Sequence, residues 1–184
     1  MEVPLEAFKD IQVISSDAYE VGEVIDIRYD PFEWNVAGLR VRSKRSSNKL
    51  AAGFGKANVL ILPEKFAMND VMLLSQTIEK LKDSVVPDNE NIASLSPLIN
   101  AKVVTKDNML VGNVVTILID TDNWKVVSMI VRLDKSAIDA MGLKKGFFSK
   151  INAEMPTDMI LSSAEMIHLD EHMDGVKERM TIME

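Results

Sequence analysis

Residues 13–42 read VISSDAYEVGEVIDIRYDPFEWNVAGLRVR, and residues 103–132 read VVTKDNMLVGNVVTILIDTDNWKVVSMIVR. At an offset of 90, with no gap, 11 of these 30 positions are identical: Val13/Val103, Asp17/Asp107, Val21/Val111, Gly22/Gly112, Val24/Val114, Ile27/Ile117, Asp30/Asp120, Trp34/Trp124, Val36/Val126, Val41/Val131 and Arg42/Arg132. A Gly and a Trp recurring at one shared offset mark an internal duplication, which governs how the rest of the chain is read. The lead-in matches too, with Leu5 opposite Leu95 and Phe8 opposite Leu98. Further on, Asp70-Val71-Met72-Leu73 resembles Asp158-Met159-Ile160-Leu161 at an offset of 88, which implies loops of unequal length. The expected organisation is a domain over 1–82, a polar, Pro-containing linker over 83–91, a second domain over 92–170 and a C-terminal tail over 171–184.

Each copy reads as β-structure. Residues 23–29 alternate partly between apolar and polar, and 113–119 are nearly all apolar and β-branched, so both are expected strands. Second strands follow at 36–42 and 126–133. Shorter ones are expected at 12–15, 57–62 and 71–74, and at 102–105, 147–151 and 159–162. Gly22 and Gly112 open the long strands, where a turn would use their tolerance of positive φ. Residues 136–142 read as a short helix capped by Ser136 and stopped by Gly142. Five or six short strands in about 75 residues suggest a small closed antiparallel barrel, since closure removes exposed edges. The expected fold class is therefore mainly all-β: two tandem barrels with short helical insertions and a helical tail.

Composition narrows the function. The 184-residue chain is 47% hydrophobic and 27% charged, ordinary for a globular protein. It has no cysteine, which removes disulfides, thiol nucleophiles and Cys-ligated metals and suits a reducing, cytoplasmic setting. No secretory signal and no run of about 18 apolar residues is visible, so no membrane span is expected. The net charge of −7 disfavours nucleic acid as main partner. The halves are alike, with 11 basic and 15 acidic residues in 1–90 and 10 and 13 in 91–184.

Nothing in the sequence assembles a catalytic set. On a helix, His168 and His172 would share a face, a spacing that can hold a metal, but Leu169 stands where His-Glu-x-x-His would need its Glu. Asp26, Asp30, Asp120 and Asp122 flank turns and recur, which indicates turn chemistry. Trp34 and Trp124 read as covers for a barrel end. Gly53-Phe54-Gly55-Lys56 lacks phosphate-loop spacing. No catalytic residue, metal or cofactor is expected, and the chain is read as a non-enzyme.

Two stretches suit binding. Arg40, Arg42, Lys44, Arg45, Lys49 and Lys56 place six positive charges in one acid-free loop, leaving −13 for the rest of the chain. In the tail, Met166, Leu169, Met173, Val176, Met180 and Met183 follow spacings of 3 and 4, the stripe of a short heptad helix. Nine of the 12 methionines lie beyond residue 91, and methionine is common on adaptable binding surfaces. The expected partner-binding residues are Met166, Leu169, Met173, Val176 and Met180 with Arg42, Lys44, Arg45 and Lys49. A homodimer or higher oligomer is expected.

The pattern Val-Gly-x-Val, then Ile-x-x-Asp-x-x-x-Trp, an apolar strand and a later Asp-led apolar strand resembles the PRC-barrel family. The likeness covers nearly all of 5–80 and 95–168. These domains are named for the cytoplasmic part of the photosynthetic reaction-centre H subunit and also form the C-terminal half of the ribosome maturation factor RimM. A tandem, acidic, Cys-free pair is similar to the archaeal PRC-barrel proteins of FtsZ-based cell division. That resemblance implies a cytoplasmic adaptor, recruited to the division site, that contacts a SepF-like protein or a paralogous PRC-barrel protein. The alternatives are an RNA-metabolism role resembling RimM and, on the His pair and the acid-rich tail, a metal- or ligand-binding enzyme.

Overall fold

The computed structural model describes residues 1–43, 59–62, 67–68, 70–84, 86–87, 92–143 and 150–183. The fold is mainly β, with two mixed sheets. The strands are β1 (Glu2–Pro4), β2 (Gln12–Ile14), β3 (Glu20–Tyr29), β4 (Val36–Ser43), β5 (Val59–Ile61), β6 (Ala67–Met68), β7 (Val71–Leu73), β8 (Val86–Pro87), β9 (Ala93–Ser94), β10 (Lys102–Val104), β11 (Leu110–Asp120), β12 (Lys125–Leu133), β13 (Asn152–Pro156), β14 (Ile160–Ser163), β15 (Met166–Leu169) and β16 (Thr181–Met183). Three helices accompany them: α1 (Ile78–Ser84), α2 (Lys135–Ala140) and α3 (Met173–Arg179).

One sheet runs β6-β7-β2-β3-β4-β5-β8 with β9 also on β3. The other runs β14-β15-β10-β11-β12-β13-β16 with β1 also on β11. The two orders correspond strand for strand. Even the register slips recur: β3 slips against β4 at Val24/Asp26 and Arg28/Tyr29, and β11 slips against β12 at Val114/Thr116 and Leu118/Ile119. The long strands put one face into a core. Val24, Ile27, Val36 and Val41 are buried, and so are Val114, Ile117, Val126 and Val131, as the repeat predicts.

The chain divides into two compact units, but not by cutting the sequence once. One unit comprises residues 5–94 with 122–124; the other comprises 1–4, 95–121 and 125–184. In the first, β9 lies on β3 with Arg28 opposite Ser94 and Tyr29 opposite Ala93. In the second, β1 lies on β11 with Leu118 opposite Pro4 and Ile119 opposite Val3. At the offset of 90 these pairings are the same.

Several expectations are corrected. The sheets are not purely antiparallel, because β7 lies parallel to β2 and β15 parallel to β10. Among the described residues, no pairing joins the two ends of either sheet path. Gln12 faces Val71 and Lys102 faces Met166, so the second half of the repeat is offset by 95, not 88. At that offset Asp158–Leu161 corresponds to residues 63–66, which lie outside the described ones, rather than to Asp70–Leu73. Of the expected strand at 147–151, residues 147–149 lie outside the described ones and 150–151 belong to no strand; β13 follows at 152–156. The expected linker contains the end of α1 and all of β8, which pairs with β5. Asp134, not Ser136, caps α2 by accepting from the Ser136 N–H, while Gly142 ends it at φ +67°.

Residues 166–184 are no helical tail. Met166 and Leu169 lie in β15, and Met173 and Val176 in α3. Met180 follows α3, and Met183 lies in β16, which pairs with β13. This run is the second copy of the β7–α1–β8 segment. Leu169, Met173, Val176 and Met180 are buried in their own unit, so the 3-and-4 spacing records an inward-facing strand, a turn and one helical face in succession.

Candidate interaction surface

The two β-hairpin turns at 15–19 and 105–109 share one hydrogen-bond plan. The Ser15 hydroxyl donates to Asp17 Oδ1 (2.6 Å) and accepts from the Tyr19 N–H (3.1 Å). The Thr105 hydroxyl donates to Asp107 Oδ1 (2.6 Å) and accepts from the Met109 N–H (2.9 Å). The backbone repeats the plan: Ser15 N–H to the Tyr19 carbonyl and Thr105 N–H to the Met109 carbonyl are both 2.9 Å. Ala18 and Asn108 sit in the left-handed region at φ 64° and 63°. Ser15 and Thr105 are fully buried, so their hydroxyls must be satisfied locally, and this fixes the turn.

The carboxylates of both turns reach the helix that closes the same unit. Asp17 Oδ1 also accepts from the Ile78 N–H (3.0 Å) at the start of α1. Asp107 Oδ1 lies 3.4 Å from Nδ1 of His172, which precedes α3. Backbone bonds run alongside, from Ser16 N–H to the Gln76 carbonyl (2.8 Å) and from Lys106 N–H to the Glu171 carbonyl (2.9 Å). The Ser15 hydroxyl, then the Ile78 amide, hold the Asp17 carboxyl below the ordinary carboxylate range. The Thr105 hydroxyl, and less strongly His172, do the same for Asp107. Lys106 Nζ bonds Asp170 Oδ1 (2.8 Å), which lowers the Asp170 pKa and raises that of Lys106.

Each fixed turn ends on a large exposed apolar side chain, Tyr19 (44% exposed) in one unit and Met109 (43%) in the other. The exposed side chain keeps one address in both copies, on a turn held by a buried hydroxyl. Other exposed apolar residues include Phe32 (89%) on the β3–β4 turn, Leu73, Met183, and Leu161 and Met166 on the β14–β15 hairpin at a sheet edge. The signal for the turns was in the sequence: Asp17/Asp107 is one of the identities, and Ser15/Thr105 are both hydroxyl residues.

Of the sequence-based binding residues, Met166 and Arg42 are exposed, while Leu169, Met173, Val176 and Met180 are buried. Lys44, Arg45 and Lys49 lie outside the described residues. His168 lies in β15 and His172 before α3, so they do not share a helical face. Asp30 Oδ1 accepts from the Phe32 N–H (2.8 Å), the turn role expected of it. Trp34 stacks on Tyr29 at 5.1 Å, and Trp124 packs tilted against Phe8 at 6.2 Å. No helix among the described residues is long and apolar enough to cross a membrane. Comparison with protein-family models and with curated proteins found no match.

Proposed function

We propose that the chain is a tandem PRC-barrel protein and a non-enzymatic adaptor that acts by protein–protein contact. On this reading it works in the cytoplasm at the archaeal division site, on a SepF-like protein or a paralogous PRC-barrel protein. The duplicated turn carries the proposal: two rigid turns display Tyr19 and Met109 from the same position of two matching units. Doubling a presented side chain suits a bivalent binder, because a second engagement on the same partner becomes intramolecular. The polar groups around it are engaged in holding the turn and closing the unit, which is structural work.

The test uses purified chain against a purified SepF-like adaptor, with a tagged copy followed in dividing archaeal cells. The Tyr19→Ser, Met109→Ser double variant should keep its melting curve, lose at least tenfold in adaptor affinity and leave the division site. Wild-type chain that ignores the adaptor and instead co-sediments with ribosomes would move the reading to the RimM-like alternative.

A further inference from the structure

Each unit is completed by a strand from the opposite half of the sequence. Unit membership changes between Pro4 and Leu5 and again between Ser94 and Leu95, the same position in the two repeats. The places these strands fill are built for them. On β11, Val3 is buried, and the Met1 carbonyl accepts from the Thr121 N–H and hydroxyl, both at 3.0 Å. On β3, the Ser94 hydroxyl donates to Asp26, and Arg28 Nη1 donates to the Ile92 carbonyl (3.3 Å). Left empty, either place would expose a run of unpaired backbone N–H and C=O groups.

We infer that the chain binds a second copy of itself by exchanging these strands. Residues 1–4 of one copy lie on β11 of the other, and Ala93–Ser94 of that other copy lie on β3 of the first. The occupant is a second copy, which carries the same two strands and the same two receiving edges in the same register. The exchanged form re-forms the β1–β11 and β3–β9 pairings of the single chain. The two forms differ in residues 88–92, which join β8 to β9, and in the entropy of bringing two chains together. A short connection gives the internal pairing an effective concentration of about 1 mM, so exchange grows as protein concentration approaches that value. This inference does not depend on the adaptor reading.

The absence of native cysteine makes the test clean. Pro4 and Leu118 face each other in register, the first exposed and the second half-buried. The Pro4→Cys, Leu118→Cys double variant, oxidised at about 1 μM, should close a disulfide within one chain, far below the effective concentration of the internal pairing. The two single variants, mixed at about 1 mM in sub-denaturing urea and then oxidised, should give a mixed disulfide of twice the chain mass. Its yield should fall at least tenfold when mixing is done at about 1 μM, and should exceed by as much that of Pro4→Cys mixed with Phe32→Cys. Internal closure of the double variant without a mixed disulfide from the singles would overturn the exchange. So would equal yields with Phe32→Cys, or a double variant that fails to close.

Discussion

Gly22 and Gly112 show how a single atom sets strand spacing. Neither has a positive φ, so the turn role expected of them is not the reason for glycine. Each lies where a short strand and a long strand both pair with its backbone, opposite Val13 and Ser43 or Val103 and Leu133. A Cβ on Gly22 would come within 2.2 Å of the Arg42 carbonyl oxygen, and on Gly112 within 2.1 Å of that of Arg132. Backbone cannot swing aside as a side chain can. Gly22→Ala and Gly112→Ala should each cost about 3 kcal/mol or more, lowering Tm by about 6–12 °C in a chain of this size; thermal melts check this. The turn carboxylates give a pH prediction. Asp17 and Asp107 have lowered pKa values when folded, so their stabilisation is present above the ordinary value of about 3.9 and is lost as pH falls through the folded values. An Asp17→Asn, Asp107→Asn variant should melt below wild type at pH 7, with the gap closing as the pH falls below the ordinary carboxylate value and through the lowered folded values. A gap independent of pH would assign the effect to shape rather than charge.

At the scale of elements, α3 and β16 form a strap that closes their unit. Asp107 and Lys106 hold its start, Arg179 bonds Asp158 (2.8 Å) and Glu171 (3.2 Å), and β16 adds a strand beside β13. Truncation before residue 171 removes the buried Met173, Val176 and Met180, a loss of about 5–9 kcal/mol in burial alone. That is comparable to the whole stability of a typical domain. The truncated chain should lose cooperative melting of the second unit by calorimetry, rather than fold normally and merely bind less. Polar substitution of Met166, Met173 and Met180 together should unfold the unit for the same reason, whereas Met166 alone, being exposed, should be tolerated. The long strands were legible because their burial pattern is local: Val24, Ile27 and their partners carry it in a few residues. The strap was misread because a 3-and-4 spacing looks the same across a strand–turn–helix as along one helix. The parallel pairing of β15 with β10 left no trace either, since it depends on contacts more than 60 residues apart.

For the whole molecule, the duplication was readable and the crossing of strands between its two halves was not. Val3 and Ala93 align in the repeat, yet each serves the other half's long strand, and no residue pattern says which of two equivalent edges a strand will choose. A protease site inserted between Asn89 and Glu90 gives a direct check. After cleavage the fragments should stay together on a sizing column without denaturant, because each unit keeps segments from both sides of the cut. Separation of the fragments would mean that the shared strands contribute little.

The same arrangement imposes an order on biosynthesis. β1 is made well before the strand it lies on, which ends at residue 120. At about 5–20 residues per second, β1 waits roughly 6–23 s for that strand to be made. Trp124, which completes the first unit, follows Ser94 by about 1.5–6 s on the same clock. The N-terminal half therefore stands unfinished while the second is translated, and a slow stretch of message between those points would lengthen its exposure. Neighbouring ribosomes on one message hold several such halves close together, each with a β1 still lacking the strand it lies on.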